Sequence, residues 1–180
     1  MLEQERELDL YSDMTILCVD DEPSILRSLQ RLFHRKNYQV LIAQSAEQAL
    51  SIMQNESVNL IISDMRMPKM DGAHLLQQVS QKHADIYRII LSGYADFEST
   101  VDAINLGKIH RFINKPWNNS ELVSVVEEGL EKVSLKQDNL RLKSIVEQKN
   151  VQLKLCNQKL EEKISLRTKQ ILKSFLFVVN

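Results

Sequence analysis

Glycine and proline are scarce in this chain of 180 residues, four and three respectively, and all of them lie between Pro23 and Gly129. After Gly129 no residue type that breaks a helix occurs again. There are only two cysteines, Cys18 and Cys156, too few for a disulfide framework and without metal-ligand spacing, which points to a reducing compartment. No apolar run approaches the length of a membrane span. The acidic opening MLEQERELDL lacks the basic-then-apolar pattern of a signal peptide. A cytoplasmic protein without membrane contact is expected. The formal net charge is −1, which gives no reason to expect a nucleic-acid partner. Residues 119–180 hold eleven Lys/Arg against eight Asp/Glu, too dilute a basic excess for a DNA-binding arm.

What is present is ordinary for a soluble globular protein: 43% hydrophobic and 26% charged residues. The length suits one domain plus an extension. Five short aliphatic runs, TILCV (15–19), VLIA (40–43), LIIS (60–63), RIILS (88–92) and RFIN (111–114), read as strands. Being apolar on consecutive residues, they suit a parallel sheet covered on both faces. Amphipathic stretches alternate with them. PSILRSLQRLF starts with a proline suited to the first helical position, and SAEQALSIM starts with Ser45 as an N-cap. AHLLQQV (from Ala73), FESTVDAIN and NSELVSVVEEGL complete five predicted helices. Strand–helix alternation with short links predicts an α/β fold with a doubly wound, five-stranded parallel sheet. The expected divisions are an N-terminal extension over 1–13, the α/β domain over 14–133 and a helical extension over 134–180.

That extension continues from the fifth helix without a visible boundary. Leu135, Leu142, Val146, Leu153, Leu160, Ile164 and Ile171 form an apolar seam at mixed three- and four-residue steps. The 180 residues hold no further segment to cover the seam, so a coiled-coil homodimer is expected. Its heptads are imperfect: Lys149 and Cys156 fall at core positions, and the step from Leu160 to Ile164 reads as a stutter.

Open α/β sheets bind ligands beyond the carboxyl ends of their strands. There the sequence puts Asp20 and Asp21 after the first strand, Asp64 after the third, Ser92 at the end of the fourth and Lys115 after the fifth. Singly, each has a plainer use: Asp21 as a helix cap, Ser92-Gly93 as a turn, Lys115 as a solvated charge. Together, three converging carboxylates imply a hard cation, and an oxygen-lined site of this size favours Mg²⁺. Lys115 would meet a phosphate on the same cation as a point charge, and Ser92 would donate a hydrogen bond to it. His34, His74, His83 and His110 form no metal or kinase motif.

The segments CVDDEPS, SDMRMPKMDG, LSGYAD and FINKPW, in this order and spacing, resemble the signatures of response-regulator receiver domains over roughly residues 13–133. The resemblance implies a flavodoxin-like receiver in a two-component system. It implies that Asp64 accepts a phosphoryl group from a sensor histidine kinase. Asp20, Asp21, Asp64 and the backbone carbonyl of Arg66 would hold Mg²⁺, and Ser92 and Lys115 would bind the phosphoryl oxygens. Lys115-Pro116 would be a cis peptide. The family's aromatic switch position, commonly Tyr, falls on Phe112, and Arg66 stands where hydrolytic water would approach.

Haloacid-dehalogenase-type phosphatases use similar groups, but VDDEPS lacks their D-x-D motif and the nucleophile here follows the third strand, not the first. A passive scaffold with a degenerate receiver is disfavoured by the intact acidic cluster. The closing segment RTKQILKSFLFVVN resembles the helical lead-in of HD-GYP regulators. Its apolar end leads us to expect an output domain beyond this chain, a cyclic di-GMP phosphodiesterase being one such domain.

Overall fold

The computed structural model describes residues 14–34, 36, 38–93 and 109–178, with side chains through 172. The five apolar runs form strands β1 (Thr15–Val19), β2 (Gln39–Ala43), β3 (Leu60–Asp64), β4 (Tyr87–Ser92) and β5 (Arg111–Asn114). They make one sheet of order β2-β1-β3-β4-β5, with every neighbouring pair parallel. β1, β3 and β4 are buried at every residue, as continuous apolar runs require in a sheet covered on both faces. The edge strands β2 and β5 carry the exposed positions.

Four helices are described: α1 (Pro23–His34), α2 (Ala46–Asn55), α3 (Gly72–Lys82) and α4 (Asn119–Val178). Pro23 is the first residue of α1, where its missing N–H costs nothing. Ser45 caps α2, its side chain accepting the Gln48 N–H at 3.2 Å. α3 starts one residue before the expected Ala73, because Asp71 caps it by accepting the His74 N–H at 2.8 Å. The helix expected over FESTVDAIN and the extension over 1–13 lie outside the described residues.

Alternate strand residues feed two hydrophobic cores. Ile16, Cys18, Leu60, Ile62 and Ile89 pack with Leu29 and Phe33 of α1 and with Leu122, Val126 and Leu130 of α4. Leu17, Val19, Ile61 and Ile90 pack with Ala49 and Met53 of α2 and with Leu75 and Val79 of α3. Each Val, Leu, Ile, Phe or Met among them contributes about 1.5–3 kcal/mol by leaving water. Gly129 is what lets α4 approach the sheet. A Cβ there would lie 2.5 Å from Tyr87 Cδ1 and 3.0 Å from Leu60 Cδ1.

The chain divides into two compact units, Met1–Ser134 and Leu135–Asn180. In the second unit the seven seam residues are 51–61% exposed. None of the helices among the described residues is long and apolar enough to cross a membrane.

Candidate functional site

In a sheet of this order the connections reverse direction on either side of β1, so the crevice at the carboxyl ends of β1 and β3 is the switch point where ligands bind. Asp20 follows β1 and Asp64 is the last residue of β3. Both are buried, as is Ser92 at the end of β4. Lys115, directly after β5, reaches back to join the acids. Its Nζ lies 2.8 Å from Asp20 Oδ2 and 2.6 Å from Asp64 Oδ1. Among the described residues, two buried carboxylates thus share one ammonium in these ion pairs, an excess of one negative charge.

Main-chain groups fix this arrangement. Asp20 Oδ1 accepts the Glu22 N–H at 2.8 Å, and Asp64 Oδ2 accepts the Arg66 N–H at 2.9 Å. Met65 N–H donates to the Leu91 carbonyl at 2.9 Å, continuing the β3–β4 pairing one residue past Asp64. Lys115 N–H donates to the Ser92 carbonyl at 2.7 Å, and Lys115-Pro116 is the cis peptide the resemblance implied. Burial pushes the Asp64 carboxyl above its ordinary value, with Lys115 pulling the other way. Burial would lower the Lys115 ammonium, but its hydrogen bonds and charge contacts with Asp20 and Asp64 outweigh that and hold it above the ordinary value.

Of the other expected site residues, Asp21 is exposed beside Asp20, and the Arg66 side chain is exposed as well. Phe112 is half-buried against the core of the α2/α3 face, and its strand partner is Ile90. Among the described residues, no group of three or more His, Cys, Asp or Glu is gathered as a metal-binding cluster. The donors that do converge are the oxygens of Asp20 and Asp64. Their excess negative charge fits a hard cation that takes few protein ligands, as Mg²⁺ does.

Two supports of the site have only faint signals in the sequence. Gly72 passes so close to Asp64 that a Cβ would overlap the Asp64 carbonyl oxygen and lie 2.9 Å from Ser63 Oγ. Lys69 has φ 68°, and Met70 N–H donates across it to the Pro68 carbonyl at 2.8 Å, closing a γ-turn. The Asp-Gly at 71–72 hints at the first, but no glycine or asparagine marks the second.

A parallel sheet of order 2-1-3-4-5 with two acids and a lysine at its carboxyl edge defines a receiver-type α/β domain. A family model, the response regulator receiver domain, matches residues 16–127, and the chain belongs to this family. It is 34% identical over 128 residues to the hydrogenase transcriptional regulatory protein HoxA of Cupriavidus necator, covering 71% of this chain and 26% of that protein. It is 30% identical over 157 residues to a putative response regulator NtrX-like of Rickettsia felis, covering 86% of this chain and 33% of that one. The chain therefore spans about a quarter to a third of these curated relatives. Among solved structures, an uncharacterized protein from Neptuniibacter caesariensis is 46% identical with a TM-score of 0.70, covering 73% of this chain and 97% of that one. The signal receiver domain of an HD domain-containing protein from Pseudomonas fluorescens Pf-5 is 36% identical with a TM-score of 0.65, covering 67% and 97%.

Proposed function

We propose that Asp64 accepts the phosphoryl group of a sensor kinase phosphohistidine and that the chain passes the resulting change to a second copy of itself through its C-terminal helix. Receiver domains of this family are regulatory and are phosphorylated by sensor histidine kinases. The observation that carries the assignment is Lys115 Nζ held between Asp20 and Asp64 at the carboxyl edge of the sheet.

In the transfer, an Asp64 carboxylate oxygen attacks phosphorus as the P–N bond to imidazole breaks, and the imidazole nitrogen keeps the bonding pair. Such a step needs in-line positioning and neutralised oxygens more than covalent chemistry from the protein. The Arg66 N–H on Oδ2 orients the Asp64 carboxylate. In this reading Lys115 turns from the carboxylates to the phosphoryl oxygens, and the Ser92 hydroxyl donates to another. Asp20, Asp21, Asp64 and the Arg66 carbonyl would hold Mg²⁺, which would supply further neutralisation of the transferring group. Ser92 and Asn114 are partners on β4 and β5, two residues along from Ile90 and Phe112. A shift of Ser92 toward the phosphoryl group is thus communicated to Phe112, which turns inward without a hydroxyl to hold it. An output domain joined to this receiver would read the change, and an HD domain of the Pseudomonas fluorescens kind is one such reader.

Intact-mass measurement after incubation with Mg²⁺ and acetyl phosphate tests the assignment. The wild type gains one phosphoryl group and Asp64→Ala gains none. Equal labelling of the two proteins refutes it.

A further inference from the structure

The helix of the second unit contains an internal repeat. LKQDNLRLKSIVEQKNVQ (135–152) aligns without gaps on LKLCNQKLEEKISLRTKQ (153–170), and Ile171 opens the next copy. Leu135, Leu153 and Ile171 correspond, as do Asn139 with Asn157, Leu142 with Leu160, and Val146 with Ile164. At about 3.6 residues per turn, a repeat of this length makes about five whole turns. Every seam residue therefore returns to the same side of a straight helix. A strict heptad seam instead drifts by about 20° per heptad and forces a left-handed supercoil. The step from Leu160 to Ile164, a stutter in heptad terms, is the repeat's own period, since Leu142 to Val146 makes the same step.

Resting on the proposed pairing with a second copy, we infer that this seam joins two copies in parallel and in register, as straight helices without a supercoil. The area is adequate. Seven side chains at 51–61% exposure offer roughly 100 Å² each, or about 1,400 Å² over two copies, within the about 1,200–2,000 Å² of specific interfaces. Asp138 favours the parallel orientation, against a like-charge cost at Lys149 and Arg167, which lie one repeat apart at a seam edge. A parallel, in-register pair sets Asp138 on one flank beside Lys143 of the second copy, twice by symmetry, the arrangement that fixes partner choice in coiled coils. An antiparallel pair sets the Lys143 flank against its own copy.

Polar seam positions select the register. Asn139 and Asn157 lie at the seam edge one repeat apart, and in register each amide meets its own counterpart, which can both donate and accept. In the single chain, Asn139 Nδ2 donates back to the Leu135 carbonyl at 2.8 Å. The opposite side of the helix bears Leu140, Val151, Leu155 and Leu166, interrupted by Gln158, Glu162 and Lys169, so two strands rather than a larger bundle are expected.

Sedimentation and cysteine cross-linking of the full chain test this. Cys156→Ser leaves only Cys18, which is buried. In that background, Leu135→Cys, Leu153→Cys and Ile171→Cys are each expected to give a covalent dimer on mild oxidation. Lys163→Cys, a core position only if heptads continued past Leu160, is expected to give none. A link at Lys163→Cys but not at Ile171→Cys overturns the straight seam. Mixing Leu135→Cys with Leu153→Cys tests register by the mass of the linked peptides: a 135–153 link overturns it. A dimer lacking any like-with-like link overturns the parallel orientation, and a tetramer overturns the two-stranded pairing. A monomer in sedimentation refutes the second copy itself, and leaves phosphorylation at Asp64 to be judged separately.

Discussion

Gly72 packs on the main chain of Asp64 so closely that no side chain fits between them. The expected phosphoacceptor is thus positioned by a backbone contact as well as by its strand. Gly72→Ala forces a shift of the segment and is expected to cost roughly 1–3 kcal/mol, as overpacking of a dense core does. It should also slow phosphorylation by acetyl phosphate. Gly129→Ala, which clashes with Tyr87 and Leu60 instead, should lower stability in urea and leave the labelling rate near wild type. Equal labelling rates for Gly72→Ala and wild type contradict the positioning role.

Burial raises the Asp64 carboxyl despite Lys115, so the folded state holds that proton more tightly than the unfolded chain. Its contribution to stability is then fully present below the unfolded value, about 4, and is lost as pH rises through the higher folded value. Without metal, Asp64→Asn should therefore be more stable than wild type at pH 7 and should lose that advantage below about pH 4. Urea denaturation at the two pH values reads this directly. A wild type that is the more stable protein at pH 7 without Mg²⁺ rules out the burial argument.

The two thiols should behave differently. Burial, with Asp20 adding, pushes the Cys18 thiol up to about 12, whereas Cys156 is exposed. Since the thiolate is the reactive form, a disulfide reagent at pH 8 should titrate one thiol per native chain and two in urea. Two fast thiols in the native protein would mean that β1 is not sealed.

Lys69 occupies a backbone region that costs most side chains about 1–3 kcal/mol. Lys69→Val, branched at Cβ, should destabilise by about 1–2 kcal/mol, while Lys69→Gly should be near neutral because its added chain entropy offsets the relieved strain. Thermal melts of the two variants check the order; a valine variant as stable as the glycine one contradicts the γ-turn.

The strands were legible because a sheet covered on both faces demands consecutive apolar residues, and TILCV, LIIS and RIILS supply them almost to the residue. Asp20, Asp64 and Lys115 were legible because strand ends in such a sheet face the ligand crevice. The closeness of Gly72 to Asp64 was not, since it is a tertiary contact with no local periodicity. Nor was the turn at Lys69, where a lysine stands in a conformation that glycine or asparagine usually announces. Asp21 illustrates a further limit. Adjacent acids look equivalent in the sequence, yet the chain buries Asp20 and leaves Asp21 in solvent. The start of α3 at Gly72 follows from the Asp71 cap, whose signal lies in a residue that also reads as part of a turn.

Hydride reduction of the labelled protein tests the phosphoacceptor assignment most directly, because an aspartyl phosphate is reduced to homoserine whereas an unmodified carboxylate is not. After acetyl phosphate and Mg²⁺ treatment, then borohydride, peptide mass spectrometry should find homoserine at position 64. Homoserine at position 20, 21 or 71 with Asp64 intact, or no homoserine at all, would contradict it.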